Sequence, residues 1–384
     1  MKLVFIFLLS PWFLKAQDVP NPNEFVIDKI VCEGNSNTSC DLIQKEIYLN
    51  VGDKVNEEEL SNAKIRLQLK NLFNSVNIFM KKSSERGHVD IVIEVIEGNP
   101  FFMEVEYGLE GSKYSNFNRR NVSIGNRNLL GLGKILRFTY SQNEFSWQNS
   151  KYFIGTLSYV DPNLFGSKKL FFNFNASFER PLNSPDSADF GFYDKNDHYS
   201  ALFGIRFFDF SNISISQMKK EEVYRFQNSN DASKRTSIVD SITYGWNSED
   251  DTNFSTSGSR FALSYSEEHQ QSLTDSYINN DRSYEYLFFK KNWSLAPKNY
   301  LSLSSNIYRF NDLIAPEVQS NSSLLYSYQL KDRLNGLGSR SRLFVDVNPI
   351  ATKDFSTVNF RAGYITEFAG FGLLKLGLTY WGNM

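Results

Sequence analysis

The chain has 384 residues and a formal net charge of −2, so its balance offers no basic surface for nucleic acid. Aromatic residues make up 15 %, with 34 Phe and 20 Tyr, yet the mean hydropathy is −0.39. Alternating apolar and polar positions cancel in such an average, and past the first sixteen residues no segment approaches the roughly 20 apolar residues of a membrane helix.

Residues 1–16 read MKLVFIFLLSPWFLKA: an early Lys2, an apolar run, and the small Ala16 before Gln17. This is the pattern of an export signal cut near Ala16, and its apolar run is too short to span a membrane. Losing Lys2 and Lys15 takes the net charge from −2 to −4. The mature chain keeps two cysteines, Cys32 and Cys40. In an oxidising compartment they are either a disulfide or a buried hydrophobe and a loop thiol, and both readings stay open at this level.

Residues 24–98 predict a small α+β domain. Phe25–Glu33 is strand-like and Gly34-Asn35 turns the chain. Asp41–Leu49 has a helical apolar face, and Val51-Gly52-Asp53 breaks it. Asn56 with Glu59 predicts a capped second helix running to about Phe73. Val76, Ile78 and Met80 alternate as one strand, and Val89, Ile91, Ile93 and Val95 as another. The order is β-α-α-β-β. The Gly34-Asn35 turn, Val51-Gly52-Asp53, the Leu72-Phe73-Asn74-Ser75-Val76 run and Val89–Val95 together resemble a POTRA domain. That resemblance implies a periplasmic module that binds unfolded client chains or partner subunits, by strand addition to a sheet edge.

From residue 99 to 384 nearly everything predicts alternating strands separated by Asn, Ser, Asp and Gly. In Lys169–Arg180 the residues Leu170, Phe172, Phe174, Ala176 and Phe178 share one face; Phe171, Asn173, Asn175, Ser177 and Glu179 share the other. Charges such as Arg137, Arg206, Arg260, Asp346 and Arg361 sit mid-strand on the less apolar face. Nearly 290 residues without a helix, an export signal and aromatic faces ending in Tyr or Trp predict a transmembrane antiparallel β-barrel. Polar stretches at 183–198, 227–235, 269–282 and 312–323 predict loops on one side, and Asn163–Ser167 a tight turn on the other.

The turns extend the resemblance. Gly125–Gly133 (GNRNLLGLG) is similar to the N-x-x-G-x-G turn of BamA-like assembly factors, and Asp161–Ser167 (DPNLFGS) to their D-P-x-x-x-G-S turn. Asn253–Phe261 is similar to a later turn, with Ser where Pro is usual. Phe344-Val345-Asp346-Val347-Asn348 is similar to the F-x-D-x-G strand, with Asn348 replacing Gly. The R-G-F/Y tripeptide of the family's inward-folded loop is missing, which leaves Asp346 in want of a cation, from Arg340, Arg342 or Arg361. The resemblance is to the POTRA-plus-barrel outer-membrane assembly and translocation superfamily. It implies sixteen strands; direct counting gives about fifteen, and 12–14 is the alternative.

The same resemblance implies a weakly paired seam between the first barrel strand, Phe101–Glu110, and the last, near Leu373–Trp381. Tyr107, Gly108, Leu376 and Tyr380 are its candidate residues, and Gly108 and Gly111 are either weak points or plain bulges. Phe344, Asp346 and Arg361 are the candidate lumen set. No catalytic, metal or cofactor motif is found: His88, His198 and His269 fall in predicted turns or loops with no ligand spacing, and no G-x-S-x-G or phosphate-binding loop is present. The expected protein is a non-enzyme of the outer membrane, in contact with lipid and with its N-terminal domain in the periplasm. It inserts or passes client proteins, or alternatively forms a passive pore or surface-binding barrel.

Overall fold

The computed structural model describes residues 25–70, 72–111, 116–145, 150–182, 192–207, 210–225, 232–249, 257–272, 280–311, 316–331, 340–351, 356–368 and 372–383. The export signal at 1–16 lies outside them.

The first domain has strands β1 (Phe25–Glu33), β2 (Lys54–Val55), β3 (Phe73–Lys82) and β4 (His88–Glu97), and helices α1 (Cys40–Ile47) and α2 (Glu57–Leu69). The sheet order is β2-β1-β4-β3, with β1 parallel to β4. The parallel pair needs a crossover, and the two helices supply it, packing on one face of the sheet. Ser39 caps α1, and Asn56 and Glu59 form the reciprocal capping box that starts α2. Ile27, Ile43, Ile47, Val55, Ala63, Leu67, Ile91 and Ile93 are all but removed from solvent. Strand β2 escapes sequence reading because two residues carry no periodicity.

Fifteen strands form the barrel. They are β5 (Phe101–Gly111), β6 (Asn116–Leu129), β7 (Lys134–Phe145), β8 (Ser150–Asp161), β9 (Leu170–Pro181), β10 (Phe192–Arg206), β11 (Ser211–Arg225), β12 (Ala232–Asn247), β13 (Gly258–Ser272), β14 (Asn280–Ala296), β15 (Asn299–Asn311), β16 (Pro316–Lys331), β17 (Arg340–Ala351), β18 (Ser356–Phe368) and β19 (Gly372–Asn383). Sequential neighbours pair antiparallel, and β19 closes on β5 in parallel. The geometry requires this: in an up-and-down array of fifteen, first and last run the same way. Among the described residues the strands number fifteen, as direct counting gives, one fewer than the resemblance implies.

On Leu170–Pro181 the two faces are as parity demands. Phe172 meets Tyr159 and Phe203 on the outside, with ring centroids 6.4 and 4.7 Å away, and Phe178 meets Tyr199 at 5.7 Å. The outer wall is studded with exposed apolar residues, among them Phe138, Phe203, Ile215, Ile242, Leu324 and Val345. Inside, cross-strand hydroxyl pairs such as Ser123–Thr139 and Thr243–Ser264, both 2.8 Å, satisfy one another.

The predicted long loops shorten. β10 begins at Phe192, β12 at Ala232, β13 runs to Ser272, β14 starts at Asn280 and β16 at Pro316. Most residues at these ends are polar on both faces, so no sustained alternation marks them, yet the backbone ladder continues. His198 and His269 consequently lie in β10 and β13 rather than in loops. His88 opens β4 rather than lying in a turn, and its Nδ1 is 2.5 Å from Asp28 Oδ1.

Candidate functional site

The lumen set is built by strand register. Phe344 on β17 lies opposite Gly363 on β18, and Asp346 opposite Arg361. A Cβ added to Gly363 would sit 2.6 Å from the Phe344 ring, so the ring lies over bare backbone. Arg361 covers the same ring at 5.6 Å and donates Nη2 to Asp346 Oδ2 at 2.8 Å. Ser323 donates to the other carboxylate oxygen at 2.5 Å. Asp346 is thus buried with its charge matched from the neighbouring strand. The motif repeats twice. Phe102 covers Gly125 and carries Arg137 at 4.9 Å; Phe171 covers Gly204 and carries Arg206 at 5.1 Å. A ring over a glycine replaces missing side-chain packing, and the guanidinium stacks on its exposed face.

The seam is β19 on β5, in register from Gly372↔Met103 to Tyr380↔Gly111. Leu376 faces Tyr107, and Gly377 faces Gly108. No register shift interrupts β5 against β6, so Gly108 and Gly111 occupy ordinary ladder positions and the bulge reading is corrected. Cross-strand side-chain pairs stabilise sheets, and a Gly–Gly pair supplies none. Parallel pairing is also slightly weaker per residue than antiparallel.

A third feature was not visible in the sequence: the two turns of the family resemblance hold the first domain. α1 straddles them. Ser39 N donates to Gly131 O at 3.2 Å, and Asn128 Nδ2 to Thr38 Oγ1 at 2.8 Å. Gly131 and Gly133 have φ of +72° and +66°, and side chains there would strike the Asn37 carbonyl and Leu42. At the other end of α1, Asn163 Nδ2 donates to Glu46 Oε1 at 2.9 Å, Glu46 pairs with Lys70 at 2.7 Å, and Tyr48 Oη donates to Lys168 O at 3.1 Å. Arg206 fixes that turn from β10, donating Nη1 to Pro162 O at 2.8 Å. Burial alone would raise the Glu46 carboxyl, but Lys70, Arg206 and Asn163 outweigh it and hold it below the usual range.

The loop before α1 is clamped from within the domain. Cys32 and Cys40 form a disulfide, which settles the pair left open by sequence. Glu97 accepts from Ser36 Oγ at 2.8 Å, Asn37 N at 2.9 Å and Thr38 N at 2.6 Å. Burial opposes ionisation of Glu97, and these donors overcome it, lowering its carboxyl to about 2. Exposed apolar side chains mark the same turns: Leu130 and Phe165 hold left-handed backbone at φ 58° and 55° and are 84 % and 90 % exposed.

Among the described residues no group of three or more His, Cys, Asp or Glu is arranged to hold a metal. Among the same residues no helix is long and apolar enough to cross a membrane, which says nothing of strands.

Residues 25–98 match the POTRA family model, described as a surface antigen variable number repeat. No curated protein sequence matches the chain. Among solved structures, CdiB from Escherichia coli is 11 % identical, with a TM-score of 0.60, over 90 % of this chain and 70 % of that one. CdiB from Acinetobacter baumannii is 10 % identical, with a TM-score of 0.55, over 89 % and 68 %. BamA from Haemophilus ducreyi lacking POTRA domains 1–3 is 17 % identical, with a TM-score of 0.49, over 94 % and 81 %. Residues 25–98 are therefore a POTRA domain, and the strands that follow form a closed barrel of the fold shared with CdiB.

Proposed function

We propose that this is an outer-membrane protein that inserts or translocates client proteins. Residues 1–16 direct export, the POTRA domain receives the client in the periplasm, and the barrel acts as insertase or translocation pore, without enzymatic chemistry or a cofactor. The observation that carries this reading is the parallel seam with Gly108 against Gly377. A strand running opposite to both β5 and β19 would pair antiparallel with each, so the barrel offers one place where an added strand improves the ladder. The POTRA fold and the exposed Leu130 and Phe165 beside it support a route for apolar, unfolded chain to that wall.

The test is a locked seam. Tyr107→Cys with Leu376→Cys places two thiols at directly paired positions. In cells depleted of the wild-type protein, the oxidised pair is expected to stop other barrel proteins or an exported client from reaching the outer membrane, and reduction to restore them. Normal client levels with the seam verifiably locked would overturn the proposal.

One observation favours a passive pore instead. The R-G-F/Y tripeptide is missing from the sequence, and Asp346 takes its cation from the wall, through Arg361 on the neighbouring strand. That reading expects a large steady conductance in planar bilayers, unchanged on deleting residues 24–98.

A further inference from the structure

The Cys32–Cys40 bond sits at the joint between the two domains. It ties the first residue of α1 to the end of β1, and α1 is the helix that touches both periplasmic turns. The short loop it closes carries Thr38, which accepts from Asn128, and Ser39, which donates to Gly131. The domain core lies behind α1, where Ile43 and Ile47 are fully buried, so the helix has its own packing without the bond. What the bond adds is the position of the N-terminal end of α1 relative to the sheet, and that end meets the Asn128–Gly133 turn.

We propose that Cys32–Cys40 is a thiol–disulfide exchange site that sets how tightly the POTRA domain is coupled to the barrel. The co-reactant is a dithiol of the oxidoreductase class. One of its thiolates attacks Cys32 Sγ, the sulfur–sulfur bond breaks, and the Cys40 thiolate leaves. That thiolate stands in the first turn of α1, where free backbone N–H groups favour negative charge. The second thiol of the dithiol then displaces Cys32. Both cysteines end as thiols, two electrons and two protons having come from the dithiol, which ends as a disulfide. Both cysteines are half-buried, within reach of a reductant that binds the loop. Oxidised, the loop is held at both ends and presents Thr38 and Ser39 to the barrel. Reduced, it keeps the Glu97 clamp but regains its freedom at α1. Closing so short a loop changes such an equilibrium by roughly tenfold to a hundredfold.

Hydrogen exchange on the full protein in lipid nanodiscs tests this without reference to any client. Oxidised protein, protein treated with dithiothreitol, and Cys32→Ser/Cys40→Ser are compared, with thiol alkylation reporting reduction. The expected result is exchange at least tenfold faster at residues 36–42 and in the facing turn 128–133, with β3 and β4 still protected. Faster exchange confined to the POTRA loop, with 128–133 unchanged, would overturn the proposal. So would loss of protection throughout β3 and β4, which would make the bond a staple of the domain fold. Failure of dithiothreitol to reduce the bond in the folded protein would overturn it as well.

Discussion

Gly204 and Gly363 both lie beneath a phenylalanine ring, but their surroundings differ in one respect. The nearest atoms to an added Cβ at Gly204 all belong to Phe171, whereas at Gly363 the Leu376 carbonyl is also in the way. Side chains can yield and a strand backbone cannot do so cheaply, so each Gly→Ala change should cost about 1–3 kcal/mol by overpacking. The relief should differ. Phe171→Leu is expected to rescue most of the Gly204→Ala loss, while Phe344→Leu leaves much of the Gly363→Ala loss in place. Double-mutant cycles on urea unfolding in lipid vesicles would measure this; equal coupling at both sites would count against the packing described. Sequence periodicity puts Phe171, Gly204 and Phe344 in strands, and parity assigns their face. That ring lies over glycine is a matter of register between strands, and residues in β9 and β10 about thirty apart carry no mark of it. Asp346 shows the same limit. Its need for a cation was readable from its mid-strand position, but choosing Arg361 over Arg340 or Arg342 required the pairing of β17 with β18.

The apolar band on the barrel wall ends before the strands do. On β11 the outward residues run Ile213, Ile215, then Gln217; on β12, Trp246, Tyr244, Ile242, then Asp240; on β13, Phe261, Leu263, Tyr265, then Glu267. Gln217, Asp240 and Glu267 are directly paired neighbours, so the apolar band stops along one row while the strands continue. Glu285 and Arg309, 3.7 Å apart on β14 and β15, extend the same polar edge. In the proposed outer-membrane setting the wall would stand clear of lipid on this side. Ile213→Lys, in the middle of the apolar band, should cost about 2–4 kcal/mol, as for a cation at the centre of a lipid face, and Gln217→Lys at most about 1 kcal/mol. Urea unfolding in thin-lipid vesicles compares the two; similar penalties would place the membrane boundary elsewhere. This also explains the overlong loops in the sequence reading. Hydropathy alternation marks only the apolar band, and beyond that row it is broken by polar residues on both faces.

At the scale of the whole molecule, the β-α-α-β-β order and the strand array were legible because each rests on local periodicity. The joint was not, because Glu46, Lys70, Asn163 and Arg206 come from four elements and nothing in the sequence links one to another. Glu46 is almost fully buried, with Lys70 and Asn163 as its partners. An ion pair taken out of water contributes little net stability, but removing one partner strands the other, at about 3–5 kcal/mol. Glu46→Gln should therefore weaken docking of the POTRA domain by at least about a hundredfold, while leaving barrel unfolding unchanged. Replacing the group as a set, with Glu46→Leu, Lys70→Met and Asn163→Leu, removes the desolvation cost along with the attraction and should keep the domain docked. The rate at which limited proteolysis releases the domain at the 98–100 linker reads this directly. Rapid release from the single variant and slow release from the triple variant is the expected pattern. Slow release from both would mean that the α1 contacts with Asn128 and Gly131 hold the domain alone, and rapid release from both that the charges specify the docked geometry rather than merely tolerate it.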